Sequence, residues 1–276
     1  MTPVIDDILA GLRAGRLAPY LGPGVTAMAD GAPVPASPAD LAAFLGKRVA
    51  LPKRARGNPW AAAQYIESNR HRSTLTALMD QAYADPVPPG DLHRMLAGFR
   101  PPLIVDTWYD GAMPGGADGV RRGANGAKSR ASRVRGSARH DGIAPTTPTG
   151  PKCPMDQAEG WRTILYKPHG AVTPARNYII ADSDYVEVLT EIDIQTPIPD
   201  IVRKRRTDCG FLFLGCRFDD QMLRTYARQI LKRSAGPYYA VLDLALLSRN
   251  ERRFLDDMHI QPVGIPLPAV SALLAA

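Results

Sequence analysis

The chain has 276 residues, 45% of them apolar and 22% charged, with a formal net charge of +7. That length suits one large α/β domain, or a core with a small insert, because single cores stop growing near about 250–300 residues. No apolar run reaches the ~18 residues that a membrane span needs, and the three cysteines, Cys153, Cys209 and Cys216, lack CxxC spacing, so neither a disulfide framework nor a four-cysteine zinc site is expected.

The opening residues Met1 to Asp7 carry acids where an export signal needs basic residues, so a cytoplasmic protein without bound metal is expected. Ile5, Ile8, Leu9 and Leu12 share one face of a helix over 3–14. A short apolar strand, Leu17 to Leu21, follows, and then Gly22-Pro23-Gly24-Val25-Thr26, a turn with two glycines. Residues 37–97 read as a helical covering layer, with Ser37-Pro38 and Asn58-Pro59 as helix starts. Further strands are predicted at Leu103 to Val105, Thr163 to Tyr166, Phe211 to Leu214, Tyr238 to Leu242 and about Ile260 to Ile265, with helices over Asp219–Arg233 and Arg249–Met258. Six buried strands alternating with helices predict a single Rossmann-like α/β domain over 1–276, a doubly wound, mainly parallel sheet.

Residues 114–158 stand outside that scheme. Between Pro114 and Gly150, seven Lys/Arg face only Asp118 and Asp141, so this segment holds most of the net positive charge. Its Gly, Arg, Ser and Pro content, with few large apolar residues, predicts a disordered basic insert. A nucleic-acid arm is disfavoured because no aromatic residue is interleaved to stack on bases. The abrupt change of composition on both sides would also suit a stretch translated out of frame.

Four segments each follow a predicted strand, where a parallel sheet presents its ligand-facing residues. In the first, Gly22 and Gly24 would let the backbone approach a phosphate and Thr26 would hydrogen-bond it, although two glycines around a proline also suffice for a plain turn. In the second, Asp106-Thr107-Trp108-Tyr109-Asp110, Thr107 and Asp110 are placed to bind ribose hydroxyls or an amide; core aromatics and a capping aspartate fit equally well. The third, Lys167-Pro168-His169-Gly170, holds a histidine on a constrained turn, as a general base or as a structural residue. The fourth, Gly215-Cys216-Arg217-Phe218-Asp219-Asp220, is a glycine turn leading into a helix; Cys216 reads as a packing residue.

Taken in order, these segments resemble the sirtuin-like family, in particular a divergent bacterial branch without a zinc module. Gly22 to Thr26 resembles the family's Gly-Ala-Gly-x-Ser loop, and His169-Gly170 its His-Gly motif. Gly215 to Asp220 is similar to Gly-Tyr-Ser-Leu-x-Asp, matching at Gly215 and Asp220 with Phe218 in place of leucine. The similarity covers about Leu17 to Leu231 without the insert, and Tyr178 to Pro199 resembles the branch's substrate side. Tyr20 to Val25 together with Asp106 to Asp110 looks like a subgroup encoded among nitrogen-fixation genes.

The resemblance implies NAD as ligand and cleavage of its nicotinamide–ribose bond, by hydrolysis or by transfer from an acylated protein. His169 would then be the base, Gly22, Gly24 and Thr26 the phosphate contacts, and Thr107, Asp110, Gly215 and Asp220 the ribose and adenosine contacts. Trp108 replaces an asparagine that the family uses at the nicotinamide ribose, and an indole has one donor and no acceptor. The resemblance therefore also admits a module that senses NAD for a protein partner without turning it over. Neither nucleic acid nor membrane is an expected partner.

Overall fold

The computed structural model describes residues 3–29, 31–113, 162–172, 176–186 and 198–275. Among these, six strands, β1 (Leu17–Leu21), β2 (Leu103–Asp106), β3 (Ile164–Tyr166), β4 (Gly210–Leu214), β5 (Tyr238–Val241) and β6 (Ile260–Val263), build one sheet. Every pairing is parallel, and the order is β3-β2-β1-β4-β5-β6. This is the Rossmann-like arrangement, with the order reversing between β1 and β4. The basic segment 114–158, with Cys153, lies outside the described residues.

Burial on both faces explains why most of the strands read as apolar runs, whereas edge strand β6 exposes Gln261 and Pro262. Ala18, Tyr20, Val105, Phe211, Phe213 and Ala240 point to one face, while Leu17, Leu21, Ile104, Leu212, Leu214, Tyr239 and Val241 point to the other. The first face is covered by α6 (Asp200–Thr207), α7 (Gln221–Leu231) and α8 (Arg249–Asp257), and the second by α1 (Pro3–Arg13), α5 (Asp91–Gly98) and α9 (Leu267–Ala275). Two prolines sit in strands where a ladder can do without their N–H. In central β1, pairing with β2 begins at Tyr20, just past Pro19; Pro262 is exposed in edge strand β6.

A third core joins helices α3 (Pro38–Arg48) and α4 (Pro59–Ala82) to the segments after β2 and β3. Ser37 caps α3 by accepting from Asp40 N–H (3.1 Å), and Asn58 caps α4 by accepting from Ala61 N–H (2.9 Å), each with proline in the first turn. Helix α4 is broken at His71, whose backbone is not helical (φ 72°, ψ 155°). The turn expected after β1 is instead a helix start. Pro23 opens α2 (Pro23–Ala27) with Gly22 as its cap, so Gly24 and Thr26 lie inside one helical turn.

Candidate functional site

All six strands end at the same edge, and the turns after β1 and β4 cross there in backbone contact. Gly22 N–H donates to the Leu214 carbonyl (2.9 Å), and Gly24 N–H to the Gly215 carbonyl (3.0 Å). A Cβ on Gly22 would come within 2.5 Å of the Gly215 oxygen, and one on Gly24 within 2.8 Å of the Gly215 Cα. Gly215 itself has φ +64°, and its Cβ would meet Val25 N at 2.5 Å. The approach of the two turns thus demands glycine at 22, 24 and 215.

On the β4 side of this crossing a cleft of about 620 Å³ opens over the ends of β4, β5 and β6, with Gly24, Gly215, Arg217, Asp243, Leu244 and Ile265 among its walls. Asp243 lies two residues past the end of β5, and its Oδ1 accepts from Ala245 N–H (3.0 Å). Arg217 is fixed by two bonds to Glu251, Nε to Oε1 (2.8 Å) and a terminal nitrogen to Oε2 (2.9 Å). Glu251 has no accessible surface. Burial opposes its charge, but bonds from Arg217, Ser248 and the Phe218 N–H outweigh that and hold its carboxyl at about 2. Asp220 caps α7 through Met222 N–H (2.7 Å) and does not line the cleft.

On the β2 and β3 side the polar groups are buried and interlocked. Thr26 Oγ1 donates to Asp110 Oδ2 (2.6 Å), and Asp110 Oδ1 accepts from Ala112 N–H (2.9 Å). The Thr107 hydroxyl and amide both donate to the Leu21 carbonyl (2.8 and 2.9 Å), tying the end of β2 to the end of β1. Lys167 Nζ donates to Asp106 Oδ2 at 2.5 Å, with both side chains about 5% exposed. Trp108 packs against the rings of Tyr83 and Tyr109, and its indole N–H donates to the Pro35 carbonyl (2.8 Å).

His169 lies between these groups and two tyrosines, with its ring 5.5 Å from Tyr185 and 5.0 Å from Tyr226, edge to face. It is 3% exposed. Nδ1 is 3.1 Å from the Thr107 carbonyl; a carbonyl only accepts, so Nδ1 carries the proton and Nε2 a lone pair. Nε2 is buried and, among the described residues, has no hydrogen-bond partner. Burial, together with nearby Lys167 and despite the Thr107 bond, lowers the imidazole to about 4, so the ring is neutral at pH 7.

The segment after the histidine is clamped to α4. Arg72, next to the break at His71, donates to both carboxylate oxygens of Asp184 (2.9 and 2.7 Å) and to the Tyr178 carbonyl. Asp184 also accepts from the Ile180 and Ala181 amides (3.0 Å each). Tyr178 donates to Asp80 (2.7 Å), and Trp60 to the Tyr185 hydroxyl (3.2 Å). The third core, with α3 and α4, is thereby fastened over the His169 side of the edge.

The family model described as a SIR2-like domain matches residues 102–263, from the approach to β2 through the end of β6. The chain belongs to the SIR2-like family. A comparison with curated proteins gives no match. Members of this family generally bind NAD, and the SIR2-like match contains the ends of β2 through β6 with Asp106, Thr107, Asp110, His169, Gly215 and Asp243. The glycine turn after β1 precedes it, as do Trp60, Arg72 and Tyr83 of the helical layer, and that turn is held to the matched region through Leu214 and Gly215. Among the described residues no helix is long and apolar enough to cross a membrane.

Within this SIR2-like sheet, Thr26, Thr107, Asp110 and His169 come together on one side of the crossing and Gly22, Gly24 and Gly215 at it. Trp108 is a core residue whose only polar atom is already paired. Cys216 is buried, its thiol pushed up by burial, and its Sγ–H faces the Tyr20 and Leu214 carbonyls (3.5 Å each). Sequence reasoning missed Asp106, Lys167, Tyr185, Tyr226, Arg217 and Asp243. For the first two a signal exists: both are the first charged residue after an apolar strand, and the register Val105↔Tyr166 places them side by side.

Proposed function

We propose that this SIR2-like chain binds NAD along the carboxyl edge of the sheet and cleaves its nicotinamide–ribose bond. The cleft over β4 to β6 takes the adenosine half, with Asp243 facing ribose hydroxyls; Gly22, Gly24, Thr26 and Gly215 border the pyrophosphate, and Asp220 supports that side by starting α7. The nicotinamide half lies toward Thr107, Trp108, Asp110 and His169, beneath the layer 37–97. A crevice at the reversal of strand order supports this placement. When bound, NAD supplies a glycosidic bond whose leaving group is nicotinamide.

The observation that carries the reading is His169 Nε2, a neutral, buried imidazole nitrogen with its lone pair unpartnered. A general base needs that state, unprotonated at working pH and within reach of a substrate hydroxyl or of a water. The neighbouring tyrosine rings exclude bulk water from it. In this reading His169 Nε2 accepts the proton, with water or an acylated protein as the second substrate.

One observation favours a second reading, an NAD sensor that acts through a protein partner. Trp108 stands where the family has asparagine, and its indole N–H is engaged by Pro35, so the side chain offers no polar group to a ribose. Calorimetric titration with NAD, with nicotinamide release followed in the same samples, separates the two. Release by the wild type that is lost in His169→Ala supports cleavage. Saturable binding without release supports the sensor, and absence of binding rejects both.

A further inference from the structure

The imidazole of His169 is aimed by groups that do not touch it. Thr107 and Trp108 share one trans peptide, the single cis bond among the described residues being Gly236–Pro237, and in a trans peptide the C=O and N–H point in opposite directions within a rigid plane. The Trp108 N–H of that plane donates to Asp106 Oδ1 (3.1 Å), and the Thr107 carbonyl, on its other side, faces His169 Nδ1 (3.1 Å). Asp106 Oδ2 is held in turn by Lys167, two residues before His169 on the same strand-end turn. The chain itself closes the ring, through Lys167-Pro168-His169.

We propose that Lys167 and Asp106 are a buried positioning pair: by gripping the Thr107–Trp108 peptide they aim its carbonyl at His169, fix the Nδ1–H tautomer and leave the Nε2 lone pair toward the substrate. The inference deepens the cleavage reading and rests on it for the role of Nε2. A purely structural ion pair at this place would hold β2 to β3 without selecting a tautomer. Here the peptide plane makes the two inseparable.

The pair also gives the site an acid limit. The groups facing the Asp106 carboxyl are Lys167 from the turn after β3, Asp110 and the Trp108 N–H from its own segment, and the Cys216 thiol from the turn after β4. Burial raises the carboxyl, Lys167 lowers it and Asp110 raises it again, leaving it at about 6. Those facing His169 are Lys167, the Thr107 carbonyl, Tyr185 and Tyr226. As pH falls below about 6, Asp106 therefore takes up a proton before His169 does, at about 4. Protonated Asp106 no longer holds Lys167 as an ion pair, and the grip on the peptide loosens while the imidazole is still neutral.

The test reads the tautomer directly, in the ligand-free protein. Histidine-labelled protein is followed by long-range proton–nitrogen correlation from pH 5 to 8, with His169→Gln assigning the signal. The wild type is expected to show protonated Nδ1 and bare Nε2 at pH 7–8, and a change in that signature centred near pH 6. Asp106→Leu/Lys167→Met replaces the ion pair by apolar groups of similar volume, an exchange that buried pairs often tolerate; it should give a mixed tautomer at every pH. Asp106→Asn/Lys167→Gln keeps an acceptor for Trp108 N–H without charge, and should retain the Nδ1–H tautomer while losing the step near pH 6. A folded Asp106→Leu/Lys167→Met protein with the wild-type tautomer, or a wild type with protonated Nε2, overturns the proposal. A wild type that shows the expected tautomer yet releases no nicotinamide defeats the cleavage reading and leaves the positioning pair standing.

Discussion

Gly215→Ala should destabilise the sheet edge where the turns after β1 and β4 cross. Gly215 has φ +64°, and placing an L residue in the left-handed region costs about 1–2 kcal/mol. The new Cβ would also lie 2.5 Å from Val25 N, 2.8 Å from the Gly24 carbonyl carbon and 3.0 Å from the Gly24 Cα, all backbone atoms that cannot swing aside. Forcing the two turns apart adds about 1–3 kcal/mol, as overpacking of a tight interior does, for a total of about 2–5 kcal/mol. Gly57 supplies the control. Its φ is +78° and nothing lies within 4 Å of its Cβ position, so Gly57→Ala meets only the conformational cost. Equilibrium urea unfolding of wild type and both variants separates the terms. A Gly215→Ala protein no less stable than Gly57→Ala would refute the claim that the crossing of β1 and β4 requires glycine for space.

Trp108→Phe keeps an aromatic ring beside Tyr83 and Tyr109 but strips the Pro35 carbonyl of its donor, so the urea midpoint should fall by the equivalent of about 1–3 kcal/mol; an unchanged midpoint would show that this bond contributes nothing. Arg72→Met leaves the Asp184 carboxylate, 7% exposed, with only amide donors. Hydrogen bonds to charged groups contribute about 1.5–3 kcal/mol each, so the Ile180 and Ala181 amides should exchange at least tenfold faster, and unchanged exchange would count against the clamp. The depressed imidazole of His169 makes its contribution to stability fully present above pH 6.5 and lost as pH falls through about 4, while the raised Asp106 carboxyl works the other way between about 4 and 6. The two partly cancel in the wild type. His169→Gln removes the first, so its stability relative to wild type should rise as pH drops from 6.5 to 4, by up to about 1.4 kcal/mol per pH unit; a pH-independent difference would mean that His169 is not held neutral by the fold.

The sheet was legible because strands buried on both faces need no periodicity to be found: Phe211 to Leu214 and Leu103 to Val105 are apolar throughout. Two helices longer than a couple of turns, besides the short α2, were not. Asp200–Thr207 buries Ile201 and Val202 behind four consecutive basic residues, which hide any apolar stripe, and Leu267–Ala275 follows Pro266 in a stretch too uniformly apolar to show one. The glycines at 22, 24 and 215 carried their signal locally, since each follows a strand. The partners that define the rest of the site are remote in sequence. Thr26 meets Asp110 across 84 positions, Lys167 meets Asp106 across 61, and Arg72 meets Asp184 across 112. Such pairs follow from strand register and helix placement, which only the folded chain supplies.

The tryptophan at 108 can now be weighed against the histidine at 169. The resemblance puts an asparagine amide at this position; here the indole N–H is drawn away to the Pro35 carbonyl. The backbone at the same position is a different matter, because the Trp108 N–H bonded to Asp106 is a group that every residue but proline possesses. Substitution at 108 therefore leaves the peptide plane, the Thr107 carbonyl and the orientation of His169 intact. On the proposed reading, the departure removes a contact to the ribose and leaves a neutral imidazole whose Nε2 is held in one direction. The cleavage reading uses that second feature and the sensor reading does not, so release of nicotinamide by the wild type is the outcome a neutral, buried imidazole favours.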